Sequence, residues 1–344
     1  MLGDFFVLLY ETDLFGQESN SMNSLSQTLD LFKTKRVLII GDAMIDAYMW
    51  GHINRMSPEA PVPIVNIDKR ENRLGGAANV ALNIQSLGAT PLLFSAIGDD
   101  HYADLFIELM HEQKLSCEGI QKISNRRTTV KTRIISDNKH VLRVDEEYTN
   151  PIEDINLLNC LEVMIQSQSI DVIIFQDYNK GLLTESLIRT AIKTAKNKEI
   201  PLIVDPKKEN FLNYHDVDIF KPNLKEIKEG LNVNFDETSE AELLKNVDGL
   251  RNKINAKGIL LTLSDQGIYY QKENAVYREK AHTRNIIDVS GAGDTVVSVA
   301  ALALACNIED DFLMRIANLA GGLVCEKVGV TPIQREDLLK ANLV

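Results

Sequence analysis

Residues Asp288–Thr295 read Asp-Val-Ser-Gly-Ala-Gly-Asp-Thr and run directly into the apolar stretch Val296–Cys306. Small residues ahead of a long apolar helix leave backbone N–H groups uncovered at its positive end, which makes an anion site. A carboxylate, Asp294, stands within it. That is a poor neighbour for a resting anion, but it suits a phosphoryl group in transfer if Asp294 takes the proton of the attacking hydroxyl. The amides of Gly291, Ala292 and Gly293 would then stabilise charge on the transferred group. The competing reading is an ordinary aspartate in the first turn of a helix, where the macrodipole favours it.

Other polar groups fall at places where a ligand could meet them. Gly75 and Gly76 allow close backbone approach, and Asn79 offers both a donor and an acceptor to a polyhydroxyl ligand. Asp42 and Asp46 follow the first strand, at the carboxyl end where α/β sheets hold ligands; the alternative for Asp42 is a helix cap. In Lys221-Pro222-Asn223-Leu224-Lys225-Glu226, Asn223 and Glu226 are three apart. They are either oxygen ligands for Mg²⁺ or its waters near a triphosphate, or a capping box. Thr262, Ser264 and Gly267 belong to a strand-end turn that could contact a nucleotide or be a plain β-turn. Gly41 is not followed by Gly-x-Gly-x-x-Gly, and no Gly-x4-Gly-Lys-Ser/Thr occurs, so dinucleotide and P-loop readings fail.

The elements that must position these groups are legible. Apolar runs at Val37–Ile40, Leu92–Ala96, Val172–Phe175, Leu202–Val204, Ile219–Phe220 and Ile259–Thr262 predict buried parallel strands. Between them, Ala77–Leu87, Tyr102–Gln113, Asn156–Gln166, Thr184–Lys196 and Glu240–Asn255 have helical periodicity. The fold class is therefore α/β, a mostly parallel sheet with helices on both faces. Two stretches break the rhythm: Ile53–Arg73, with Pro58, Pro61 and Pro63, and Thr128–Val144, a hairpin turning at Asp137-Asn138-Lys139. They predict a small antiparallel sheet projecting as a lid over segments 47–73 and 126–146.

Bulk properties narrow the partners. The chain has 344 residues, of which 44% are apolar, and a net charge of −12 without a long basic run, so nucleic acid and anionic membrane surfaces are not expected partners. Its four cysteines lie far apart, which excludes a zinc knuckle and fits a reducing compartment. Phe5–Tyr10 is too short and wrongly flanked for a signal peptide, so the expected location is cytoplasmic. Residues 1–34 read as a loose extension before a single domain over 35–344.

The Gly75–Asn79 segment resembles the first motif of the PfkB/ribokinase family of carbohydrate kinases, and Asp288–Thr295 resembles the second. Asn223-x-x-Glu226 and the turn Thr262–Gly267 resemble its metal and nucleotide motifs. The resemblance covers Val37 to Val330 and implies a ribokinase-like fold, ATP and Mg²⁺, and Asp294 as the base; it leaves open a monovalent cation near Asp288. It also implies nucleotide contacts at Asn223, Leu224, Lys225, Glu226, Thr262, Ser264 and Gly267.

A narrower resemblance, to the kinase half of the ADP-heptose synthases, lies in Tyr48–Gly51, Arg55–Pro63, Asp177–Gly181 and Val204–Lys207. It implies phosphorylation of D-glycero-β-D-manno-heptose 7-phosphate at O1, in a kinase without the following nucleotidyltransferase. Asp46, Gly75, Gly76, Asn79 and Asp205 would bind the sugar. Of the basic residues Arg126, Arg127, Lys131, Arg133 and Arg143 near the hairpin and Lys180 and Lys207 on strand-end loops, Lys131, Lys180 and Lys207 are taken as ligands of its phosphate. A homodimer through the projecting sheets would cover their edges. Kinases for another sugar or a nucleoside, or a sugar sensor without catalysis, are the alternatives.

Overall fold

The first strand of the main sheet, β1 (Arg36–Gly41), shows why the sheet is sandwiched. Val37 and Ile39 enter one hydrophobic cluster, Leu38 and Ile40 the other. Alternate side chains point to opposite faces, so a strand apolar at every position must be covered on both. The structure is a computed structural model that describes residues 24–137, 139–281 and 285–341.

In chain order, α1 (Leu25–Phe32) and β1 precede the long strands β2 (Ala43–Met56) and β3 (Pro63–Gly76). Then come α2 (Ala77–Ser86), β4 (Thr90–Ile97), α3 (His101–Glu112) and β5 (Ile120–Lys122). A hairpin, β6 (Val130–Ser136) and β7 (Lys139–Glu146), is followed by α4 (Ile155–Ser167), β8 (Val172–Gln176), α5 (Glu185–Asn197) and β9 (Leu202–Asp205). The rest comprises β10 (Ile219–Phe220), α6 (Leu224–Leu231), α7 (Glu240–Lys253), β11 (Gly258–Thr262), β12 (Ile268–Lys272), β13 (Val276–Glu279), α8 (Ala292–Ala305), α9 (Asp310–Val324) and α10 (Arg335–Lys340).

The main sheet has the order β13-β12-β11-β10-β9-β8-β1-β4-β5. From β11 to β5 all neighbours are parallel; β12 and β13 add an antiparallel edge. Each of the six apolar runs becomes a strand. Short β5, β12 and β13, and helices α9 and α10, were not expected from the periodicity.

The second sheet, in the order β3-β2-β6-β7, projects from the first. It corrects the expectation of a wholly antiparallel lid, because β2 and β6 pair in parallel, Ile45 opposite Val130. Both strands leave the carboxyl edge of the main sheet and run outward. β2 follows β1 directly, while Thr128, just before β6, bonds to Gly98 and Asp100 beyond β4. Only the returning strands β3 and β7 pair antiparallel with them. The hairpin turn includes residue 138, which lies outside the described residues.

Part of the segment expected to be loose is ordered structure. Ser24 and Gln27 form a reciprocal capping box, with Ser24 N donating to Gln27 Oε1 at 2.7 Å, and Leu29 and Phe32 of α1 are wholly buried. Burial of two large apolar side chains outweighs the polar composition around them. Residues 1–23 lie outside the described residues. Among the described residues no helix is long and apolar enough to cross a membrane.

Candidate active site

Helix α8 starts at Ala292 behind Gly291, which holds φ of 84°, a left-handed conformation that a side chain would strain. The turn 291–293 is half-buried, and the carboxyl of Asp294 lies just beneath it at 5% exposure. Three polar side chains from three elements converge on that carboxyl. Asn79 Nδ2 donates to Oδ2 at 2.7 Å, whereas Tyr178 Oη and Gln176 Nε2 donate to Oδ1 at 2.7 and 3.2 Å. Asp294 is therefore in a polar cluster at the carboxyl ends of the strands, not in the apolar core. Burial pushes its pKa up to about 6, against the pull of the hydrogen bonds from Asn79 and Tyr178. A base that titrates there is ionised at neutral pH yet close to the range where proton transfer is efficient.

The glycine pair has two separate reasons to be glycine. A Cβ on Gly75 would overlap the Asp46 carboxylate, and Gly76 holds φ of 58° against the Asp42 carbonyl. The turn they make lets α2 begin beside α8 and brings Asn79 to Asp294. Asn83, one turn further along α2, donates to Asn79 O and accepts from Thr295 Oγ1 and the Ile333 amide, so the two helices are cross-tied. Among the described residues the buried Asn79 Oδ1 has no partner, which leaves an acceptor for a ligand hydroxyl.

Asp46 forms an ion pair with Arg133 of β6, joining the two lid strands. Asp42 caps no helix, since a strand follows it. Its carboxylate accepts N–H groups of Tyr178, Lys180 and Leu182 at 2.9, 3.0 and 3.2 Å and so shapes the loop that carries Tyr178. Burial, and Asp177 nearby, raise the Asp42 pKa to about 6 despite these three donors.

Asp205 at the end of β9 pairs with Lys221 at 3.1 Å, and both are almost wholly buried. Gln176 Nε2 bridges Asp205 Oδ2, at 3.1 Å, and Asp294. Burial alone would raise the Asp205 pKa, but Lys221 and Lys207 bring it below the ordinary carboxylate value. Lys207 pairs with Glu226. Burial works against its charge, yet Asp205 and Glu226 raise its pKa overall.

Asn223 and Thr262 sit side by side on adjoining strand ends, so the turn Thr262–Gly267 adjoins the start of α6. Ser264 is exposed there, and Gly267 has φ of 91°. Asn223 and Glu226 do form the capping box: Glu226 N donates to Asn223 Oδ1 at 2.9 Å and Asn223 N to Glu226 Oε2 at 2.8 Å. Leu224 packs against the core, and Lys225 points to solvent at 80% side-chain exposure beside Glu229. These placements do not suit Leu224 and Lys225 as side-chain ligands of a nucleotide.

Residues 34–336 match the family described as pfkB family carbohydrate kinase. The chain belongs to that family. By family it is an ATP-dependent carbohydrate kinase. The bifunctional protein HldE of Aliarcobacter butzleri is 39% identical over 306 residues, covering 87% of this chain and 62% of the relative. That of Syntrophotalea carbinolica is 34% identical, with 94% and 65% covered. The chain thus spans less than two thirds of the length of either. Its fold matches solved structures of phosphofructokinase-2 from Escherichia coli in complex with potassium (TM-score 0.74, 17% identity, 89% of this chain and 97% of that one) and of Arabidopsis thaliana ribokinase complexed with ribose and ATP (0.69, 17%, 89% and 98%). The fold is therefore ribokinase-like, as the motifs implied.

In this PfkB chain the residues present limit how Mg²⁺ could be held. Glu226 Oε1 faces Lys207 and Oε2 takes the Asn223 amide. Direct ligation by this pair would displace Lys207 and open the cap. A metal-bound water needs only a remaining lone pair, so the residues fit contact through water. Among the described residues no three His, Cys, Asp or Glu side chains are grouped to hold a metal. Asp288, beside which the family resemblance allows a monovalent cation, accepts the amides of Ser290 and Gly329, both at 2.9 Å.

The basic residues near the hairpin do not converge. Arg126 donates to backbone carbonyls of Tyr148, Asn150 and Lys180, and Arg143 pairs with Asp145. Lys180 pairs with Glu147 at 2.9 Å, while Lys131 and Lys207 flank the Tyr178 ring at 5.8 and 5.6 Å from its centre. The charges nearest Asp294 include one that sequence reasoning passed over, Lys221; Gln176 and Tyr178 were passed over too. Gln176 ends an apolar run and Tyr178 lies in a quoted motif, so a polar residue closing a buried strand was the available signal.

Proposed function

We propose that this chain transfers the γ-phosphoryl group of ATP to O1 of D-glycero-β-D-manno-heptose 7-phosphate, giving the 1,7-bisphosphate used for ADP-heptose and lipopolysaccharide core. Phosphoryl transfer is supported by one arrangement above all: the Asp294 carboxyl held by three donors beneath the amides of Gly291–Gly293. The sugar is supported by the run Ser57–Pro63, which resembles the kinase half of the ADP-heptose synthases, together with relatives named bifunctional protein HldE at 34–39% identity.

In this reading Asp294 accepts the proton of the anomeric hydroxyl while the turn amides stabilise the charge on the phosphoryl group. Asn79 Oδ1 accepts a second sugar hydroxyl, and Asp46, Gly75 and Gly76 border the sugar. Lys131, Lys180 and Lys207, with Asp205 ordering Lys207, bind the 7-phosphate. Thr262, Ser264 and Gly267 border the nucleotide, with Asn223 and Glu226 shaping its end of the site. When bound, Mg²⁺ would neutralise phosphate charge, and Glu226 would meet it through water. A monovalent cation near Asp288 would help to order the anion turn.

ATP consumption against a panel of sugars and sugar phosphates, with the product phosphate located by ³¹P–¹H NMR, tests the proposal. The heptose 7-phosphate should be preferred and its product should carry the new phosphate on O1. Equal turnover of a sugar lacking the 7-phosphate would remove the roles given to Lys131, Lys180 and Lys207, and a better substrate of another class would replace the heptose.

We place the enzyme in the cytoplasm, where ATP and sugar phosphates occur, as a homodimer through the lid sheet. The edge strand β7 is exposed from Lys139 to Asp145, with Val141, Leu142 and Val144 uncovered. Such an edge invites pairing. Leu142→Lys is expected to yield a monomer in sedimentation velocity where the parent sediments as a dimer; a monomeric parent would discard this interface.

A further inference from the structure

The loop after β8 contains more buried polar structure than a connection needs. Asp42 accepts three of its amides, and the neighbouring Asp177, also buried, accepts from Asn179 N, Asn210 Nδ2 and Tyr214 Oη at 2.8, 3.1 and 2.8 Å. Two buried carboxylates are costly unless each is well bonded. Here they hold one loop in one shape, and that shape delivers the Tyr178 hydroxyl to Asp294 at 2.7 Å.

The two oxygens of Asp294 are unequally used. Oδ1 receives both Tyr178 and Gln176, which fills its two lone pairs; Oδ2 receives Asn79 alone. We infer that Tyr178 is the positioning residue of the base, fixing Oδ1 so that Oδ2, beside Asn79 Oδ1, which has no partner among the described residues, is the atom that takes the sugar proton. This rests on Asp294 being the base. Burial first, then Asp294 and Asp205, raise the phenol pKa far above its ordinary value, so Tyr178 remains a neutral donor. The charged groups facing the pair are Asp46 from β2, Lys131 from β6, Asp205 from β9, and Lys207 and Lys221 from the following loops.

Tyr178→Phe removes the donor and little volume. Losing a hydrogen bond to an ionised group favours protonation, so the acid limb of the kcat profile should move to higher pH by about one unit, and kcat at about pH 7 should fall about twofold through the lost ionised fraction. The KM for ATP should stay within about twofold. Replacing Tyr178 with 3-fluorotyrosine, a stronger donor of nearly equal shape, should move the limb the other way. Circular dichroism and ATP binding check that each variant is folded. An unshifted acid limb in both variants, with Asp294→Asn inactive, overturns the inference about Tyr178 and leaves the base in place. An Asp294→Asn enzyme with parental turnover overturns the base assignment itself.

Discussion

Asp294→Asn is expected to lower kcat by about 10²–10⁴ while the protein folds and binds ATP. The amide keeps the shape of the side chain and cannot take a proton. Stability should move in the opposite direction. The Asp294 pKa is about 6 in the folded state, above the ordinary carboxylate value of 3.8. The unfolded chain therefore releases this proton at lower pH than the native one, so native stability declines as pH rises from about 4 to about 6, and the full cost of about 3 kcal/mol is present above that. Removing the charge should raise the melting temperature at pH 7.5 more than at pH 5, less whatever is lost where Asn79, Gln176 and Tyr178 meet an amide. The parental kcat should show its acid limb near 6. A variant that loses activity and melts well below the parent at both pH values would point to lost structure instead.

Lys221→Ala should have the largest effect on stability. Lys221 and Asp205 are 2% and 4% exposed and bonded at 3.1 Å. Removing the ammonium leaves a buried carboxylate with Gln176 and Lys207 as its remaining support, a loss of about 3–5 kcal/mol for a pair of this kind. The sign with pH follows from the lowered Asp205 pKa: its contribution is present above the unfolded value and is lost as pH falls through the folded one. The difference between parent and variant, read by urea denaturation, should therefore be large at pH 7 and shrink at low pH. Asp205→Asn combined with Lys221→Met should recover part of the loss, since no charge is then left unpaired. A Lys221→Ala protein as stable as the parent at pH 7 would refute the account.

Much of the frame was legible because it depends on short-range rules. Apolar runs such as Val37–Ile40 and Val172–Phe175 are too continuous for a half-exposed strand, and each became a central strand with both faces covered. The Gly-Ala-Gly-Asp run ahead of an apolar helix likewise required a helix amino terminus, and α8 starts there, although the Ala292 amide already makes a long bond of 3.3 Å to Val289 O. The capping box of Asn223 and Glu226 was one of two readings offered by the spacing. Leu25–Phe32 was misjudged because a few apolar residues in a polar stretch reveal nothing of the surface that will receive them.

Residue types and local periodicity already single out the side chains able to do chemistry and place them at strand and helix ends. Tertiary structure alone decided which of them meet. Asn79, Gln176 and Tyr178 lie 215, 118 and 116 positions from Asp294 and are joined to it by sheet order. It also decided that Asp42 shapes a loop, that Arg133 pairs with Asp46, and that the arginines near the hairpin do not form one site. A pattern in the chain fixes the face on which a side chain emerges. Its partner, and hence its charge and pKa, depend on strands distant in sequence that hydrogen-bond pairing and burial bring alongside.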